Sequence, residues 1–281
     1  ATTAGVHPFG LMLWQAAGGA VIVLVFCALR RRLRSIRRAH LGFYAGCGVL
    51  GIVAPSAAIY FAASHAPAGV LSMLVTSVPI ITYGLALAAR LETFDGLRVA
   101  GVALGLAAVM LIIGPRASLP APGMAGWVLV GFIGPACYAC SNVFVAHFRP
   151  PASDSSALAA GMLMTSAALV TPLVLATGTA HMVGPPWNAA DLAVLGLPVI
   201  TGVAHIFLFE LIRTTGPVFF SQVGYVVTVA GVLWGMALFD ERHSPWIWAA
   251  LALMFAGLAL VNLRRRAARV AGGSHTESQN D

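Results

Sequence analysis

The feature that most constrains this chain is a hairpin that occurs twice. Residues 66–114 read APAGVLSMLVTSVPIITYGLALAA, then RLETFDGLR, then VAGVALGLAAVMLIIG: two apolar runs around a charged connector holding Arg90, Glu92, Asp95 and Arg98. Each run approaches the roughly 20 apolar residues that a bilayer-spanning helix needs. Neither shows the polar face of a soluble core helix. A related hairpin returns as GPVFFSQVGYVVTVAGVLWGMALF, DERHSP and WIWAALALMFAGLALVN. Glu92 and Glu241 stand 149 positions apart, and so do Ala108 and Gly257. A chain built this way is a membrane protein with an internal duplication.

The bulk chemistry agrees. Of 281 residues, 59% are hydrophobic and 9% charged, against roughly 25% charged in soluble domains. The net charge of +7 does not mark a nucleic-acid partner, because it has no folded basic face to sit on. All 16 basic residues are Arg, gathered at the ends of apolar runs: Arg30, Arg31, Arg32, Arg34, Arg37 and Arg38, then Arg264, Arg265, Arg266 and Arg269. Clusters so placed set orientation and touch anionic lipid headgroups. Cys27, Cys47, Cys137 and Cys140 lie in apolar runs and read as small buried side chains, with no metal-ligand pattern around them. No metal or other cofactor is expected.

Apolar runs predict spans over about Pro8–Leu29, Leu41–Ala63, Gly69–Ala89, Leu97–Gly114, Gly126–His147, Ala157–Gly178, Leu192–Ile212, Val218–Phe239 and Trp246–Leu263. Residues 1–114 form the first repeat, 115–125 a Pro-rich linker, 126–263 the second repeat, and 264–281 a polar, disordered tail. Counting Arg with the 30–38 cluster inside gives fourteen inside and two outside, which places the C-terminus in the cytoplasm. The first half holds four spans and the second five. The expectation is therefore that the first repeat lacks its first helix, which would precede Ala1. An odd number of spans per repeat inverts the second copy relative to the first, and a substrate site then falls where the copies meet.

Several short signatures support a resemblance. Ala66-Pro67-Ala68, Pro79, Leu91-Glu92, Gly101 and Ala108 are echoed by Gly216-Pro217, Asp240-Glu241, Ala250 and Gly257. In these the chain resembles the drug/metabolite transporter superfamily, EamA type, over nearly its whole length. The resemblance implies an all-α, polytopic transmembrane bundle of two inverted five-helix repeats. It further implies small-molecule transport, often outward, and residence in a bacterial plasma (inner) membrane. The chain departs from the pattern at Trp14-Gln15 and at Thr228, which stands where the first copy has Pro79. A polytopic enzyme is disfavoured, since no GxSxG, HExxH or carboxylate–His cluster is present. A non-transporting scaffold is the other alternative. The oligomeric state is not specified by these residues.

Polar side chains within the spans are the candidate site, because each is costly in lipid. Ser221, Gln222, Tyr225 and Thr228 recur at spacings of three and four, and Ser72 and Thr76 stand 149 positions before Ser221 and Tyr225. Tyr138 and Asn142 are one turn apart, and Trp14 and Gln15 lie midway along the first span. For each of these, lining a cavity competes with hydrogen bonding to the same or a neighbouring helix. His205, the histidine deepest in a span, is a candidate proton carrier; the alternative is a neutral ring bonded to backbone. Glu210, one turn before Arg213, is an ion-pair partner or a second coupling group.

Overall fold

The computed structural model describes residues 7–113, 124–181, 189–221, 223–239, 245–246, 248–253, 255–257 and 259–260. Most of the expected linker and all of the expected tail lie outside them. The described residues form helices and no strand. In order these are α1 (Pro8–Leu29), α2 (Arg38–Ala62), α3 (Val70–Ala88), α4 (Gly96–Ile113), α5 (Met124–Phe148), α6 (Ser155–Thr177), α7 (Ala189–Thr215), α8 (Val223–Phe239) and α9 (Trp248–Gly257). A single turn, Pro217–Phe220, precedes α8. Among the described residues six helices, α1, α2, α3, α5, α6 and α7, are long and apolar enough to cross a bilayer. Their outward side chains include Leu29, Leu129, Leu175 and Ile200, all strongly exposed. A surface like that suits hydrocarbon and not water.

Local chemistry explains the helix ends and breaks. Asp154 caps α6, accepting from the amides of Ser156 at 3.0 Å and Ala157 at 3.2 Å. The helix stops at Gly178, whose φ of +64° suits glycine. A π turn occupies Val49–Val53 just before Pro55. A 3-10 turn occupies Val75–Ser77 just before Pro79. Proline lacks an N–H and crowds the carbonyl four residues back. Those carbonyls belong to Gly51 and Val75, so each proline disturbs the turn ahead of it.

The halves are related by inversion. The 149-residue offset makes α6 the counterpart of α1 and α7 the counterpart of α2. Arg32, just past the end of α1, is paired with Asp154 at the start of α6. At the other end, the indole Nε1 of Trp14 donates to the carbonyl of His181, beyond α6, at 2.9 Å. The two counterparts therefore lie side by side and antiparallel. Contacts are reciprocal: α7 packs on α1 as α2 packs on α6, and α8 packs on the start of α3 as the Pro217–Phe220 turn packs on its end. Val75 and Gly224 occupy equivalent positions and touch; a Cβ on Gly224 would sit 3.0 Å from the Val75 carbonyl oxygen. The pseudo-two-fold axis passes between them.

Two apolar cores flank that axis. One joins α1, α2, α5, α6 and α7 towards the Arg-rich face, with Tyr44, Leu158, Met162 and Phe209 at its centre. The other joins α3, α4, α5, α8 and α9 through Leu74, Ala108, Val128, Val232 and Ala250. Glycine permits close helix approach in the second, where a Cβ on Gly257 would lie 2.6 Å from the Gly101 carbonyl.

Candidate functional site

Between the two cores lies a cavity of about 640 Å³ lined by residues of both repeats. The first repeat contributes Gln15 from α1, Tyr60 from α2 and Ser72 from α3. The second contributes Tyr138, Ser141 and Asn142 from α5, His205 from α7 and Ser221 before α8. Ser72 and Ser221 are the equivalent pair predicted from the repeat. Val75 and Gly224 line the same space, so the cavity sits on the pseudo-axis.

Gln15 lies within a π turn, Trp14–Gly18, and Gly51 within the Val49–Val53 π turn; both face the cavity. Such turns are rare and concentrate at functional sites. The Gln15 carbonyl accepts from the hydroxyl of Tyr60 at 2.6 Å and from Ser56 at 3.3 Å. The Asn142 amide reaches the Thr82 hydroxyl at 3.5 Å. His205 Nδ1 lies 2.7 Å from the Thr201 carbonyl. Since that carbonyl can only accept, Nδ1 holds a hydrogen, and the ring is anchored to its own helix while lining the cavity.

The other candidates stand elsewhere. Trp14 does not line the cavity; its indole holds the His181 carbonyl. Thr76 is buried and donates to Met73 O at 2.6 Å. Thr228 is buried and shared between Gly224 O at 2.8 Å and Ser72 O at 2.9 Å. The reason is phase. Ser221 sits in a break between the Pro217–Phe220 turn and α8, so the expected single face through Ser221 and Thr228 is not continuous. The stripe that meets the cavity instead runs through Val223, Gly224 and Val227. The 3-10 turn does the same to Thr76 in α3. Gln222 and the side chain of Tyr225 lie outside the described residues.

Tyr60 and Ser141 were not anticipated. Ser56 and Tyr60 stand four apart, a polar pair inside an apolar run, and that spacing was the available signal for Tyr60. Ser141 was masked by its neighbour Asn142.

Glu210 belongs to a charged cluster at the Arg-rich face. It pairs with Arg213 and accepts from Ser155 Oγ at 2.6 Å. Arg149 donates to Phe209 O at 2.7 Å, Ser153 O at 2.9 Å and Ser155 Oγ at 3.0 Å. Burial and the nearby Arg213 charge push the Arg149 guanidinium below its ordinary value, against Glu210 and Asp154. Burial alone would raise the Asp154 carboxyl. The Ser156 hydroxyl, the Ala157 and Ser156 amides and Arg32 together hold it below the usual carboxylate range.

The sequence model of the EamA-like transporter family matches residues 1–114 and 125–263. The chain belongs to this family. A membrane transporter of small molecules is therefore the coarse function of this EamA-like protein. Its fold recurs in a solved crystal structure of a protein 20% identical to it, with a TM-score of 0.70, covering 94% of this chain and 90% of that one. No match was found among curated proteins.

Proposed function

We propose that this EamA-like chain exports small metabolites or drugs by alternating access, rocking its inverted halves about the cavity on their pseudo-axis. The observation that carries this reading is that one cavity takes polar groups from both repeats, with Ser72 and Ser221 as its symmetric pair. Its volume lies within the roughly 300–1,000 Å³ usual for small-ligand sites. Gln15, Ser72, Tyr138, Asn142 and Ser221 are the proposed substrate contacts, with Gln222 and Tyr225 assigned on sequence alone. Trp14, Thr76 and Thr228 support them by fixing the surrounding backbone. His205 is the proposed proton carrier, and Glu210 tightens the Arg-rich face. That face is placed in the cytoplasm, since Arg resists translocation, and the membrane is taken to be the bacterial inner one.

The test is flux in proteoliposomes of defined orientation, with a panel of amino acids, amines, nucleobases and drugs. Saturable movement, abolished by Gln15→Leu in a folded protein, is the expected result. Folded wild-type protein that moves none of the panel, or that converts a solute into a product, would refute the proposal.

A further inference from the structure

The cavity wall contains no Asp, Glu, Lys or Arg among the described residues. The nearest acidic and basic groups on α7, Glu210 and Arg213, are committed to one another. A charged ligand here would be desolvated with no counter-ion, which is strongly unfavourable. What the wall does offer is uncommitted neutral hydrogen-bonding capacity.

That capacity can be assigned atom by atom. Tyr60 and Ser56 occupy the carbonyl of Gln15, so its amide nitrogen keeps two hydrogens without a partner among the described residues. Ser141 is 1% exposed, and its hydroxyl is buried with no hydrogen-bond partner. It nevertheless lines the cavity. Tyr138 brings a second hydroxyl. Acceptors are the Asn142 carbonyl and Nε2 of His205, whose Nδ1 hydrogen is spent on Thr201. The remaining wall is apolar, including Leu11, Ile59, Leu71, Val78, Leu208 and Phe220.

A buried hydroxyl left unpaired costs the fold free energy, and a group kept at such a cost is accounted for when a ligand completes it. Building on the transport reading above, we infer that the cavity selects uncharged amphiphiles: an aromatic or aliphatic body with a polar edge of the amide or nucleobase type. That edge offers an acceptor to Gln15 and Ser141 and a donor to Asn142 or His205. Organic anions and cations of the same shape are rejected. Sites that hydrogen-bond their ligand discriminate sharply in this way, because a mismatched ligand leaves buried groups unpaired.

The experiment is calorimetric binding to the full chain in nanodiscs, using two shape-matched sets. One is nicotinamide, nicotinate and 1-methylnicotinamide; the other is 2-naphthamide, 2-naphthoate and 2-naphthamidinium. At least one neutral amide should bind at least about tenfold more tightly than both of its charged analogues, the worth of a single interaction. Ser141→Ala should weaken that binding by about tenfold. The same substitution removes an unsatisfied hydroxyl, so it should leave the melting temperature unchanged or raised, separating lost recognition from lost folding. The inference is overturned if a charged analogue binds as tightly as its amide, if neither amide binds, or if Ser141→Ala binds unchanged. Amide binding without flux would sink the transport proposal and spare this one. Flux of charged solutes without amide binding would do the reverse.

Discussion

At the residue scale, the Gln15 carboxamide is held by two hydroxyls, and the stronger contact is Tyr60 at 2.6 Å. Tyr60→Phe keeps the ring and removes that donor, leaving Ser56 at 3.3 Å as the anchor. One hydrogen bond is worth about 1 kcal/mol, so substrate affinity should fall about fivefold while the protein still folds. Titration of a transported or bound solute against wild type and variant checks this; equal affinities would remove Gln15 from the binding wall. Asp154 gives a second prediction. Its folded carboxyl titrates below the unfolded value of about 3.9. The stability it adds is therefore fully present above that value and lost as pH falls through the folded one. Asn also caps helices well, so Asp154→Asn isolates the charge contribution. Its melting temperature should lie about 2 °C below wild type at neutral pH, with the gap closing as pH falls through the lowered carboxyl pKa of the folded state. A gap that persists in acid would mean the Arg32 pair and the carboxylate charge are irrelevant.

At the scale of the helix, hydropathy makes position legible and breaks illegible. The apolar runs located α1 to α9 because a bilayer demands length and apolarity and little else. Tyr138 and Asn142, for which the sequence left cavity lining and helix contact open, stand on the cavity wall in uninterrupted helix, as does His205; Gln15 reaches it from within the Trp14–Gly18 π turn, which the apolar run did not reveal. Thr76 and Thr228 were misread as neighbours of the cavity because a 3-10 turn and a helix break shift the phase by a fraction of a turn. The prolines that provoke the breaks were visible; the angle they impose was not, since it depends on what packs opposite. Trp14 failed differently, as its nitrogen found a backbone partner outside its own helix. The π turn Trp14–Gly18 gives the element's own prediction. A π turn holds one residue more than an α turn. Deleting Ala17 should let α1 close as regular α-helix with Pro8–Leu13 and Gly19–Leu29 both kept. The protein should still insert and melt cooperatively, yet lose ligand binding because Gln15 swings off the wall. Binding unaffected by the deletion would show that the π turn has no part in the site.

At the scale of the molecule, the proposed rocking depends on how the two inverted halves meet. The contact on the axis is between Val75 and Gly224, equivalent positions of the two repeats that both line the cavity. A Cβ on Gly224 would stand 3.0 Å from a backbone carbonyl, not from the end of a flexible side chain. Alanine there requires a shift of a few tenths of an ångström. Leucine cannot be accommodated without separating α3 from α8. Overpacking a tight contact costs about 1–3 kcal/mol, which a bundle with two apolar cores survives. Rocking needs the two halves to pass each other at this very point, so the cost should appear in transport before it appears in folding. Gly224→Ala should retain reduced flux. Gly224→Leu should abolish it while the protein remains inserted and melts within about 10 °C of wild type. A matched change away from the axis, Gly126→Leu, where a Cβ meets nothing within 4 Å, should leave both properties intact. If Gly224→Leu transports like wild type, the halves do not move against each other at their symmetry axis, and alternating access about this cavity is excluded.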